Sequence, residues 1–360
     1  MSSLSLFKFK DDHARVAYDE TYKFLDSHPE YTQIISDNLS AYRIAGELIP
    51  WGMIDSLFTQ RHFPFQESMQ DFEASRELCF YGFYKASYMS LKSAFEMGLL
   101  SVYLNNEEMH NEKFKKWIAS KEDTPFKRHI LEGLKKEPNV KLLMEKVNFE
   151  DQINSVYKIL SNYSHTKGRT YSGFQQNRSN VNSFQDKSFL RWLSLMQSVT
   201  RIIIAAHLAK YPVGMQETPI EQKFGINGPV GMFIEPGESE FLKGLLGDVM
   251  RNALQEISDN DSATASMVEW VNGRPDISEE EFKEQLLDFD KFMIEMNGWN
   301  SWGKQKWSNL SGAEDKGSIY YQEALQEYHL LEKWAKENNF IESKYERDKS
   351  INQDKRDINA

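Results

Sequence analysis

RELCFYGFYKASYMSLKSAFEMGLLSVYL, residues 76–104, decides the fold class. Tyr81, Tyr84, Tyr88, Leu91, Phe95, Leu99 and Val102 follow one another at intervals of three and four. That is the period of one helix face, not of a strand. The spacing predicts a single helix over the whole stretch, stopped at Asn105-Asn106. A helix with so broad an apolar face must bury it against other helices.

The flanking sequence supplies them. Residues 13–27, 31–47 and 66–75 carry helical periodicity, punctuated by Pro29, Pro50 and Pro64. Residues 111–136 are charged and helical in pattern, with a break at Thr124-Pro125. A helix over 149–163 follows, with Ile153, Val156, Tyr157 and Leu160 on its apolar face. A Gly-, Ser- and Asn-rich loop (164–183) leads to an apolar helix at 186–210, ended by Pro212. The expected fold is mainly α, an antiparallel helical bundle over residues 1–211.

Residues 212–232 are rich in Gly and Pro and read as a connection. Beyond it, 233–340 forms a smaller, acidic, mostly helical C-terminal region. VGMFIE (230–235) reads as a short strand and 238–257 as a helix. Ser278 and Glu281 have the spacing of a capping box opening a helix at 279–296. NGWNSWGKQKW (297–307) reads as a tryptophan-rich loop, and 318–338 as the last helix. The charged stretch 341–360 has little to bury and is expected to be disordered.

The net charge is −11, unevenly spread. Residues 1–213 hold 27 Lys/Arg against 25 Asp/Glu, whereas 214–360 hold 16 against 29. An acidic total argues against nonspecific DNA binding, which draws its affinity from phosphate neutralisation. A local basic site remains open to the near-neutral N-terminal part.

The single cysteine, Cys79, lies between Leu78 and Phe80, the setting of a buried inert thiol. One cysteine permits no internal disulfide, and the start of the chain has no signal-like apolar core, so a cytoplasmic location is expected. No stretch approaches the ~18 uninterrupted apolar residues of a membrane span. The histidines are scattered without metal-ligand spacing, GINGPVG (225–231) lacks the lysine of a phosphate loop, and no GxSxG occurs. Neither a metal nor a cofactor is expected.

"SLKSAFEMGLLSVYL", followed some sixty residues on by "YKILSNYSHTKG" and then a long apolar helix, resembles the HEPN-like helical bundles. These are common among bacterial toxins and anti-phage proteins. The resemblance covers roughly residues 66–211. It implies a homodimer that binds RNA or cleaves it as a metal-independent endoribonuclease, with an arginine and a histidine four to six residues apart lining a shared cleft. His165 takes the histidine's place, with Asn162 and Ser164 as the polar residues before it. At the three allowed spacings the arginine is replaced by Leu160, Ile159 or Lys158. Lys158 keeps the charge but not the two-pronged donor geometry that suits a phosphate. Arg169 offers a cation from the other side. If the helices pack as the resemblance implies, Lys92 and Glu96, four apart on one helix face, would orient the imidazole.

Histidine suits this chemistry because its ordinary pKa allows proton transfer near neutrality. A cation among Lys158, Lys167 and Arg169 would offset charge on the reacting phosphate. The competing reading makes His165 a helix-end cap and Lys92–Glu96 a solvated pair. The alternative function is a non-enzymatic interaction module in which the acidic C-terminal region and Trp299, Trp302 and Trp307 bind a protein partner.

Overall fold

The computed structural model describes residues 3–50, 62–104, 112–178, 182–229, 231–312 and 315–347. They are mainly α-helical, and no strand occurs among them. The stretch 231–235 starts with bends at Gly231 (φ +90°) and Met232 (φ +65°), so the expected short strand is absent among its described residues. Its buried Phe233 and Ile234 account for the apolar pattern. The expected stop at Asn105-Asn106 lies outside the described residues.

The helices in order are α1 (Ser3–Asp26), α2 (Pro29–Glu47), α3 (Phe63–Phe80), α4 (Tyr84–Leu104), α5 (Glu112–Ile118), α6 (Lys127–Leu134), α7 (Pro138–Val147), α8 (Phe149–Ser164) and α9 (Asp186–Lys210). Then come α10 (Pro236–Leu246), α11 (Asp248–Asn260), α12 (Ser262–Asn272), α13 (Glu279–Asn297), α14 (Trp299–Ser311) and α15 (Ile319–Glu337). Single turns lie at Gly173–Asn177 and Ile220–Phe224, and residues 344–347 are also helical.

The stretch 76–104 is not one helix. α3 ends at Phe80, and α4 runs back along it from Tyr84 as a helical hairpin. The reversal is a paired-carbonyl cap: Gly82 N–H donates to Cys79 O at 3.0 Å and Phe83 N–H to Leu78 O at 2.8 Å. Gly82 has φ +74°, the left-handed conformation such a cap requires. Across the hairpin, Ser75 Oγ donates to Ser87 O at 2.9 Å and Ser87 Oγ to Ser75 O at 2.7 Å. Small hydroxyl residues let the two helices approach while satisfying polar atoms that water cannot reach. Within α4 the predicted apolar face holds: Tyr84, Tyr88, Leu91, Phe95, Leu99 and Val102 are all buried.

The other bundle helices are oriented by contacts along α4. Tyr88 stacks on Tyr163 at 4.0 Å while Lys92 lies 5.2 Å from the Tyr157 ring, so α8 runs antiparallel to α4. Tyr88 hydroxyl donates to Ser188 O and Ser101 Oγ meets His207 Nε2 at 3.0 Å, so α9 runs parallel to it. One end of the bundle therefore collects the start of α4, the end of α8 and the start of α9. By length and composition α9 could cross a membrane, but 78% of its most apolar stretch is buried inside the bundle. It is the central core helix.

The chain forms two compact units, one of Met1–Ile220 with Pro229–Arg274, the other of Glu221–Gly228 with Pro275–Ala360. The chain passes between them at 220/221 and 228/229, inside the expected connection at 212–232, and again after Arg274. The predicted helix 238–257 is α10 and α11, interrupted at Gly247 (φ +75°), and both belong with the bundle.

In the second unit Ser278 and Glu281 form the predicted capping box. The tryptophan-rich stretch is helical rather than a loop: α14 begins at Trp299. Trp299 is 7% exposed and lies 5.0 Å from the Tyr328 ring. Trp302 Nε1 donates to the buried Asp290 carboxylate at 3.1 Å. Trp307 is half out in solvent but also rests 5.3 Å from Tyr328. These side chains help bind α13, α14 and α15 together, leaving only Trp307 substantially available. The stretch from Ile341 to Arg347 also departs from the expected disorder. Trp299 N–H donates to Phe340 O, Asn300 N–H to Ile341 O, and Arg347 lies over the Phe340 ring at 4.5 Å. The rest of the expected tail lies outside the described residues.

Candidate functional site

α8 is built by periodicity. Phe149, Ile153, Val156, Leu160 and Tyr163 are buried, and Glu150 and Asp151 in its first turn suit the positive end of the helix dipole. Lys158, Asn162 and His165, at steps of four and three, share the opposite stripe. Lys158 and His165 are exposed and Asn162 is half-buried.

The helix end is capped by backbone, not by the imidazole. Thr166 N–H donates to Tyr163 O at 3.2 Å and Lys167 N–H to Asn162 O at 2.9 Å. The position that glycine normally fills is taken by Thr166, at φ +48°. A β-branched residue there is strained, and such strain gathers at functional sites. Lys85 Nζ, from the start of α4, donates to Thr166 Oγ1 at 2.5 Å and pins it. The His165 ring, relieved of capping, faces solvent and makes no hydrogen bond or ion pair among the described residues.

The following loop is anchored rather than free. Asn177 Nδ2 donates to Gly82 O at 2.7 Å, and Ser188 Oγ to Gln176 O at 2.8 Å. Arg169 lies 5.8 Å from the ring of Phe174, which is 48% exposed. Arg191 reaches across from α9, its Nη1 donating to Tyr163 hydroxyl at 2.9 Å. That bond raises the guanidinium pKa further. Lys85, Lys158, Lys167, Arg169 and Arg191 form no ion pair among the described residues.

Lys92 and Glu96 are not part of this group. They pair at 3.0 Å, largely shielded from solvent, against Tyr157 rather than His165. Eight residues separate Tyr157 from His165, about 12 Å along a helix axis. Lys127 Nζ closes the other side, 4.6 Å from the Tyr157 ring, and donates to Asn154 Oδ1 at 2.7 Å. Burial, the Glu96 charge and a hydrogen bond to Glu96 push the Tyr157 phenol up to about 12. Lys92 and Glu96 thus fasten α4 to α8 and do not orient the imidazole.

The structure therefore sets His165, Asn162 and Arg169 at one end of the bundle, leaves Lys158 on the same stripe of α8 but two turns back from His165, and places Lys92 and Glu96 elsewhere. Sequence periodicity misses Lys85, Thr166 and Arg191. Arg191 alone left a signal, a charge within the most apolar helix. Cys79 is fully buried, and burial pushes its thiol pKa up, as an inert core cysteine requires. No group of three or more potential metal ligands occurs among the described residues.

The class defined by these features is a mainly α-helical bundle with a basic, histidine-bearing end. No protein-family model, curated protein or solved structure matches the chain.

Proposed function

We propose that this is an HEPN-like protein that binds RNA on the exposed end of its bundle, with His165 moving a proton on the bound strand. The reading is carried by one observation. Among the described residues, an imidazole with no side-chain partner stands at the bundle end that also bears Lys85, Lys167, Arg169 and Arg191, none of them in an ion pair. Cations left unneutralised in a folded protein suit a polyanion. The exposed Phe174 ring beneath Arg169 adds a surface on which a base can stack.

In the cleavage this arrangement would support, His165 takes the 2′-hydroxyl proton. The freed oxygen attacks the adjacent phosphorus and the P–O5′ bond breaks, the departing 5′-oxygen taking a proton from water, leaving a cyclic phosphate. Arg191 or Arg169 would balance the charge gathered on phosphate. The homodimer implied by the family resemblance would set two such ends beside one another.

The test is binding and cleavage of tRNA and single-stranded RNA in EDTA, comparing wild type, His165→Ala and a Lys85→Ala/Lys167→Ala/Arg169→Ala variant. The triple variant is expected to bind less tightly, with a salt slope lower by about 2 to 3. His165→Ala is expected to bind normally and to lose cyclic-phosphate product. Unchanged binding by the triple variant would remove the RNA reading. Cleavage that survives in His165→Ala would remove the catalytic one.

A further inference from the structure

Away from the histidine end, a cavity of about 370 Å³ opens where the end of α4 meets α5, α6 and the 119–126 connection. Its lining includes Tyr103, Trp117, Glu122, Asp123, Phe126 and Glu132. The volume falls at the small end of the range for small-molecule sites.

The aromatic walls are held in place. Trp117 Nε1 donates to Thr124 Oγ1 at 3.1 Å, and its ring lies 5.7 Å from Phe63 and 6.3 Å from Phe114. Tyr103 rests on Gly133, where a Cβ would meet the phenol ring at 2.0 Å. Only glycine lets that ring lie against α6. Burial raises the Tyr103 phenol pKa, so the group stays neutral. Phe126 is 78% exposed at the cavity rim, its ring 6.3 Å from that of His129.

Charge then restricts the occupant. Glu122, Asp123 and Glu132 line the cavity against one lysine, Lys136, with His129 beside them. Glu132 already accepts from Arg128 at 2.9 Å. Glu122 and Asp123 form no ion pair among the described residues and carry the unbalanced negative charge. Like charge disfavours nucleotides, and no cluster of metal ligands is present among the described residues. Aromatic faces beside free carboxylates suit an organic cation, whose alkyl part packs on the rings while its charge faces both.

We propose that this cavity binds a small aliphatic polyamine, with Trp117, Tyr103 and Phe126 against the chain and Glu122 and Asp123 meeting its ammonium groups. The site is independent of the RNA reading.

The experiment is calorimetric titration of the full chain with spermidine, beside 1,8-octanediol as an uncharged chain of similar length. The comparison set is wild type, Glu122→Gln/Asp123→Asn and Trp117→Phe. Both carboxylates are exposed, so the double variant keeps its fold. Expected is saturable one-to-one binding with Kd on the order of 0.1–1 mM. The double variant should weaken it about tenfold or more, and Trp117→Phe several-fold. Octanediol should give no saturable heat. Failure of wild type to saturate, equal affinity in the double variant, or equal binding of octanediol overturns the proposal. Equal affinity in the double variant would place the polyamine on the protein's general acidic surface instead.

Discussion

Arg191 Nη1 donates to Tyr163 hydroxyl at 2.9 Å, joining the start of α9 to the last turn of α8 two residues before His165. The phenol is otherwise buried, stacked 4.0 Å from Tyr88 and edge-on to Tyr171 at 5.0 Å. Tyr163→Phe keeps those ring contacts and removes only the acceptor. It should cost about 1 kcal/mol in urea unfolding. RNA affinity should change by more than that stability loss implies, because the guanidinium is no longer aimed. If Arg191 acts on phosphate, Arg191→Lys should fold normally and bind RNA more weakly.

Thr166 is strained where glycine would be relaxed. Thr166→Gly should therefore raise stability by about 0.5–1 kcal/mol, offset in part by loss of the Lys85 hydrogen bond. Thermal unfolding of Thr166→Gly beside Lys85→Met separates the two contributions. A net loss in Thr166→Gly would mean that the Lys85 contact outweighs the strain.

Gly82 makes the hairpin. At φ +74° an added Cβ would also meet Ser183 O at 3.0 Å and Ala17 Cβ at 3.2 Å. Gly82→Ala should destabilise the protein by about 1–2 kcal/mol, read as a lower urea midpoint with unchanged slope.

The same residue explains what the sequence conceals. Period-3.6 patterning finds buried faces and cannot see a reversal when both arms bury aromatics of the same kind. Tyr81 continues the arithmetic of Tyr84 and Tyr88, yet it lies past the end of α3 and is 37% exposed. The glycine between aromatic residues was the available sign. α9 and the capping box at Ser278 are legible because their signals are local and complete. At the site, the stripe Lys158–Asn162–His165 follows from helix geometry alone. Lys85 and Arg191 do not, since they arrive from elements 80 and 26 residues from His165 whose packing sets their reach. The tryptophans at 299–307 look like a loop because glycines and asparagines surround them. Gly303 instead lies under the Trp299 ring, where a Cβ would meet it at 2.6 Å.

Asp290 anchors the second unit. It is 4% exposed, pairs with Lys306 and accepts from Trp302 Nε1. Asp290→Ala strands the indole N–H and leaves Lys306 only Glu327, 3.3 Å away at the surface. Removing one partner of a buried ionic group is worth about 3–5 kcal/mol at full burial, and the partly exposed Lys306 reduces that to about 2–3 kcal/mol. Limited proteolysis should then cut within 275–347 before the bundle is cut.

His207 gives the bundle a defined response to acid. It is fully buried, with Nδ1 2.8 Å from Ile203 O, Nε2 3.0 Å from Ser101 Oγ and the Phe65 ring edge-on at 5.2 Å. Burial lowers its pKa to about 4, and the same cause lowers neighbouring His62 to about 4. The folded state holds His207 neutral while an unfolded chain would bind a proton near pH 6.5. The unfolded state thus gains protons first as pH falls. Stability is complete above about pH 6.5, declines between there and about pH 4, and reaches its full loss below both values. For His207 alone that loss is about 3 kcal/mol. His207→Gln retains a polar side chain that does not titrate in this window. Urea midpoints measured from pH 7.5 to 4.5 should fall less steeply for this variant than for wild type. Parallel slopes would assign the acid sensitivity to other groups.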